Sequence, residues 1–176
     1  MMAPLRAFVL HAERLHVAPV WRRTSALLSR LERYEARATL FVHPYEAIEA
    51  GVDIGPRIRE LLARGHEIAQ HTHFYEERDS GTSGKPRTDL DPRNIGRCLD
   101  RDLANLRAMG ADPNGFTSGG WAVQPTVETW LADNGFGYDC SFRSFELGYE
   151  NPAADAGGGY DAPALSGGIQ IGRAHV

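Results

Sequence analysis

The sequence predicts an α/β domain around a mainly parallel sheet, open or closed into a barrel, and three observations carry that expectation. Short apolar, β-rich runs alternate with segments of helical spacing, as in chains that place helices over a sheet. The clearest run, Ala38 to Val42, is apolar without alternation, as a strand covered on both faces must be. Three of the helical segments stop at a glycine, Gly65, Gly110 or Gly135, shortly before the next strand.

In chain order, Leu5 to Leu10 reads as a buried strand. Pro19 to Ala36 follows, with Val20, Trp21, Leu27, Leu28, Leu31 and Tyr34 at helical spacing. Ala38 to Val42 is the second strand, stopped by Pro44, and completes a strand, helix, strand unit. Pro56 suits a first helical turn, Ile58, Leu61 and Leu62 make an apolar face, and Gly65 ends that helix before strand Glu67 to His71. A polar loop from Glu76 to Leu90 leads to Asp91 and Pro92, an N-cap and a first-turn proline. The helix they start runs to about Met109 with Ile95, Leu99, Leu103 and Leu106 on one face. A short strand near Phe116, a helix from Thr126 to Asn134 and a strand from Tyr138 to Phe142 complete a domain over residues 1–150. Asn151 to Gly168 is dense in Gly, Ala and Pro, so residues 151–176 are expected to form an irregular tail. Ile171 to Val176 also matches one reading frame of a common sequencing adapter. On that reading the last six residues are an artefact, the natural chain continues past Gln170, and His175 is set aside.

Composition narrows the function classes. The 176 residues are 42% hydrophobic and 24% charged, enough apolar mass for one core. A net charge of -4 offers no broad basic surface for nucleic acid or an anionic membrane, which leaves small neutral or carbohydrate-like partners. Cys98 and Cys140 are too few and too distant for a disulfide framework and are expected to be core thiols. Met1 to Leu10 lacks the layout of a signal peptide and no apolar run approaches the roughly 20 residues of a membrane span, so a soluble, cytoplasmic protein is expected.

Parallel sheets place function at the C-terminal ends of their strands, which directs attention to His11 to Glu13, His43, His71 to His73 and Ser118 to Trp121. On an extended backbone residues two apart face the same way, so His71 and His73 can converge on one cation. Imidazole is an ordinary ligand of zinc and similar divalent ions. The bland alternative has His71 packed and His73 solvated, and the strand-end setting favours ligation. His11 and Glu13 repeat the spacing, offering a third ligand and a carboxylate base, although taken alone Glu13 reads as a solvated loop residue. His16 lies past the strand end. His43 could line the same mouth, but a histidine there is more often structural. His66 precedes its strand, about 16 Å from His71 at 3.3 Å per residue, and is expected to be structural. Gly119, Gly120 and Trp121 give a turn beside an aromatic suited to stacking on sugar, or a tight turn with a core tryptophan.

Ala38-Thr-Leu-Phe-Val42, then Gly65-His-Glu-Ile-Ala-Gln-His71-Thr72, resemble in order and spacing the second-strand and histidine motifs of polysaccharide deacetylases. Gly115-Phe-Thr-Ser-Gly-Gly-Trp121 is similar to that family's next motif, and the resemblance covers residues 5–142. It implies a distorted (β/α) barrel, incomplete because this chain ends early. It also implies removal of acetyl groups from N-acetylated sugars with a divalent metal, usually zinc, held by an aspartate and two histidines. Three positions depart from the pattern. The family's paired Asp-Asp is His11-Ala12-Glu13 here; its second histidine falls at Tyr75, so His73 would substitute; and its arginine is Thr117. A site without the aspartate has less need of that arginine, so the site is either rebuilt or inactive.

The sequence thus leads to a metal-dependent hydrolase acting on an acylated saccharide. His11, His71 and His73 are the metal ligands and Glu13 the base, with the parts of His11 and Glu13 exchangeable, and Gly119, Gly120 and Trp121 meet the substrate. Two alternatives stand beside it: a non-catalytic saccharide-binding relative, and an unrelated α/β domain with chance histidines, favoured if His11 and His71 lie at opposite sheet ends.

Overall fold

The computed structural model describes residues 6–75, 77–78, 81–82, 91–121, 124–142, 165–166 and 169–173. The chain divides into two compact units, Met1–His71 with Asp102–Pro113, and Thr72–Arg101 with Asn114–Val176.

The first unit carries strand β1 (Arg6–His11), helix α1 (Ala18–Glu32), β2 (Arg37–Val42), α2 (Tyr45–Glu49), α3 (Gly55–Ala63) and β3 (Glu67–Thr72) up to His71. β2 pairs in parallel with β1 on one side and β3 on the other. Ala38, Leu40, Phe41 and Val42 of β2 are therefore buried, as the unbroken apolar run predicts. Leu28 of α1 and Ile58 and Leu61 of α3 pack with Leu40, Val42 and Ile68 in one core. Each such side chain contributes about 1.5–3 kcal/mol by leaving water.

Helix ends follow local chemistry. α1 stops at Glu32 rather than at Ala36, because Glu35 takes a left-handed conformation (φ 56°) and the Ala36 N–H returns to the Leu31 carbonyl. After α3, Gly65 at φ 81° lets the His66 N–H reach the Leu61 carbonyl at 3.1 Å, the double turn-back that a left-handed glycine permits. The five-residue α2 had no sequence signal, being too short to show a helical period.

The second unit holds the two-residue antiparallel strands β4 (Glu77–Arg78) and β5 (Gly81–Thr82), inside the stretch read as a loop. Helix α4 (Pro92–Ala108) contributes to this unit as far as Arg101 and to the first unit from Asp102. Asp91 caps it, its Oδ1 accepting the N–H groups of Arg93 and Asn94 at 2.9 and 3.1 Å, and these bonds hold its carboxyl below the usual range. β6 (Gly115–Ser118), α5 (Pro125–Asp133) and β7 (Tyr138–Phe142) follow, with β6 and β7 parallel. Phe116 and Phe136 meet edge-on inside this unit with ring centroids 6.3 Å apart.

The tail departs from its expected irregularity. Two further strands, β8 (Leu165–Ser166) and β9 (Ile169–Arg173), form there, β9 parallel to β7 and β8 antiparallel to β9. Pairing with β7 overrides a glycine-rich composition that alone reads as loop. Residues 151–164 and 174–176 lie outside the described residues. No described helix is long and apolar enough to cross a membrane.

Candidate metal centre

Strand register brings the candidate residues together. Phe41 of β2 pairs with His11 of β1 and with Ala69 of β3, and Val42 pairs with Gln70. One residue further come His43 and His71, while Glu13 lies two after His11, in the turn that follows β1. The Ala12 N–H bonds the Phe41 carbonyl at 2.8 Å, carrying the ladder past the end of β1. His11, Glu13, His43 and His71 consequently collect at the C-terminal end of three parallel strands, the functional end of such sheets. His11 and His71 share that end, which removes the ground named for the chance-histidine reading.

His71 is 2% exposed, and its Nε2 lies 3.1 Å from Glu13 Oε1. His11 is exposed and meets the His71 ring edge-on, 5.2 Å between centroids at 81°. One ligand atom from each of His11, Glu13 and His71 can be chosen so that all lie within 4.8 Å of one another. Two imidazole nitrogens and a carboxylate oxygen are a donor set that zinc and related divalent ions accept. Ligand atoms around tetrahedral zinc stand about 3.3 Å apart, so side-chain rotations of about 1 Å would close the set. The residues present fit a divalent ion.

Two further histidines stand near the strand ends in different settings. His43 is buried in the first unit, its ring 6.0 Å from that of His71 and its Nε2 3.6 Å from Asp102 Oδ2. His73 belongs to the second unit, is half-buried, and is not part of the three-residue cluster. Its ring lies on Gly119, where a Cβ would come within 2.4 Å of His73 Nδ1, so this close approach requires glycine. Gly120 follows at φ 67° in the short helical turn Gly119–Trp121, and the Trp121 side chain lies outside the described residues.

Asp139 of β7 anchors that turn. Its Oδ1 accepts the Ser141 N–H at 2.8 Å and the Ser141 hydroxyl, and Ser141 Oγ accepts the Ser118 N–H at 2.7 Å. Burial pushes the Asp139 carboxyl up to about 6 against the lowering effect of these bonds.

Thr117 and Tyr75, where the resembled family has arginine and histidine, are both buried, and the Tyr75 carbonyl accepts the Cys98 thiol at 3.5 Å. At the N-terminal end of β3, buried His66 accepts the Ala38 N–H at 3.2 Å and bonds Glu32 at 2.8 Å, a structural arrangement. Asp102 is the acid that sequence reasoning passed over. Its signal was present, because it sits on the apolar stripe of α4 between Leu99 and Leu106, where a carboxylate has no reason to be unless it is partnered.

The sequence profile described as polysaccharide deacetylase matches residues 19–136. No curated protein matches the chain. Among solved structures, a family 4 carbohydrate esterase from Streptomyces lividans is 17% identical with a TM-score of 0.54, over 80% of this chain and 64% of that one. A CE4 family pseudoenzyme from Bacillus anthracis is 15% identical at 0.55, over 78% and 44% of the two chains. IcaB from Ammonifex degensii is 19% identical at 0.55, over 78% and 59%. The chain thus has the fold of these proteins, the distorted (β/α) barrel that the motifs implied, and spans 44% to 64% of their length. With the profile extending from α1 through α5, the chain belongs to the polysaccharide deacetylase family.

Proposed function

We propose that His11, Glu13 and His71 hold a divalent metal ion, zinc by the chemistry of the donors, and that the site hydrolyses an acyl group from an N-acetylated saccharide. The convergence of these three side chains within 4.8 Å at the functional end of the sheet carries the reading. A bound divalent ion supplies polarisation of an acyl carbonyl and a water whose pKa falls toward about 7.

Buried His71, on β3, is the anchor. Exposed His11 completes the set from the solvent side. Glu13 is the one carboxylate of the cluster, and its side chain is 39% exposed. It takes the proton from the attacking water as the new carbon–oxygen bond forms and returns it to the amine as the carbon–nitrogen bond breaks. Acetate and a free amino sugar leave. The turn Gly119–Trp121 is assigned to saccharide contact, and His73, outside the cluster, is assigned a lesser part in metal binding than His71. The formal net charge of -4 agrees with a neutral sugar rather than a polyanion as partner.

Metal content and acetate release from N-acetylglucosamine oligomers, measured together, test the reading. One divalent ion per chain with acetate release, both lost in His71→Ala, is the expected result; wild-type protein without a stoichiometric ion overturns it. A second reading, saccharide binding without turnover, is favoured by Thr117 in place of the family's arginine and by the missing Asp-Asp pair. An ion retained with sugar bound and no acetate released would select it.

A further inference from the structure

His43 and Asp102 are buried side by side in the core of the first unit. Neither side chain has any solvent exposure, and His43 Nε2 lies 3.6 Å from Asp102 Oδ2. Removing a carboxylate and an imidazole from water is expensive, and their mutual attraction repays that only in part. Two apolar side chains would fill the same space at lower cost, so the pair's location needs an explanation.

Its neighbour supplies one. His43 extends β2 by one residue, and its ring meets His71 edge-on at 79° with centroids 6.0 Å apart. Asp102 of α4 is the neighbour of His43, and His43 in turn is the neighbour of His71, so the carboxylate reaches the cluster through one imidazole. The cluster itself, with neutral imidazoles, brings one negative charge, that of Glu13, to an ion carrying two positive charges. Asp102 is a second carboxylate, one imidazole removed from the ligand His71, in surroundings where water does not screen its charge.

We infer that Asp102 and His43 are positioning residues of the metal centre: Asp102 balances the second charge of the ion, and His43, oriented by Asp102, fixes the plane of the His71 ring. The inference rests on the metal reading above. Carboxylates behind metal-binding histidines tune ligand orientation and affinity in this way, and their loss weakens binding about 10- to 100-fold.

Zinc affinity by competition with a chromophoric chelator, and the visible spectrum of the cobalt(II) form, test it on the full chain. Wild type is expected to bind one ion. Asp102→Asn, which keeps shape and removes charge, is expected to bind at least about tenfold more weakly with a shifted cobalt spectrum. The double variant His43→Leu, Asp102→Leu keeps the core filled with apolar atoms and decides the matter if Asp102→Asn does not fold. It too is expected to fold and bind weakly. Wild-type affinity and an unchanged spectrum in these variants would overturn the inference and leave the metal reading standing. Failure of wild type to bind an ion would overturn both.

Discussion

The first unit carries a histidine–glutamate pair at each end of its sheet, and the two ends have different chemistry. At the N-terminal end His66 Nε2 lies 2.8 Å from Glu32, while its Nδ1 accepts the Ala38 N–H, so the ring proton is on Nε2 and both nitrogens are committed. Glu32 also accepts Arg64 Nε at 2.8 Å, and Arg64 is tied in turn to Ser25, Ser29 and Glu60. Bonding to Arg64 holds the Glu32 carboxyl below its ordinary range, and burial pushes His66 down. At the C-terminal end His71 and Glu13 pair at 3.1 Å, but a second imidazole, His11, stands where the closed end has a guanidinium. A fixed cation excludes a metal ion, whereas a second imidazole invites one. The pair alone marks neither end as a site; the third group decides.

Histidine deletion at each end is the strongest way to break this contrast. His71→Ala is expected to abolish stoichiometric metal binding and to lower acetate release on the order of 10³-fold, several kcal/mol of lost carbonyl polarisation. His66→Ala should leave the ion in place, as metal analysis of the purified variants would reveal. Equal loss from both would mean that the ends do not differ as argued. Glu13→Gln comes next: it keeps the shape but removes the base and the one charged ligand together, so it should weaken metal binding and, with the ion supplied in excess, slow turnover about 10²- to 10³-fold. A Glu13→Gln rate within about threefold of wild type would take the proton-transfer role from that carboxylate.

The same two ends explain what could be read in advance. Ala38 to Val42 announces its strand because it is buried on both faces and therefore apolar without alternation, and Gly65 announces the turn between helix and strand that sets the start of Glu67 to His71. That His11 and His71 gather at one end of the sheet was legible because parallel strands align their C-terminal ends, whereas Glu13 reaches His71 from the turn after β1, which strand alternation does not fix. Asp102 was not recognised because its partner His43 is 59 positions away, a separation that helical spacing cannot report, though its place on an apolar stripe was a visible anomaly. The strands β8 and β9 were missed because their order comes from pairing with each other and with β7, not from their glycine-rich surroundings.

His73 supplies a test of intermediate size. A Cβ on Gly119 would lie 2.4 Å from its ring, so Gly119→Ala must displace the imidazole, at a cost of about 1–3 kcal/mol in unfolding free energy. If His73 is secondary to His71, the variant keeps its metal ion; loss of the ion would promote His73 to a principal ligand.

The smallest effect lies at the closed end and concerns pH. Burial lowers the His66 pKa from its ordinary 6.5, so between the folded value and 6.5 the unfolded chain binds more protons than the folded one. Stability from this group is therefore complete above about 6.5 and is lost as pH falls through the folded value. Glu32, also lowered, contributes above its ordinary 4.5 and loses that contribution further into acid, so the two windows are separable. His66→Asn keeps an acceptor for the Ala38 N–H and removes the titration. Urea unfolding at pH 7.5 and pH 5.5 should show a smaller decline for this variant than for wild type, with the difference confined to the range below 6.5. An identical decline in both would assign the acid sensitivity to the other histidines, and the closed end would then be distinguished from the open one by Arg64 alone.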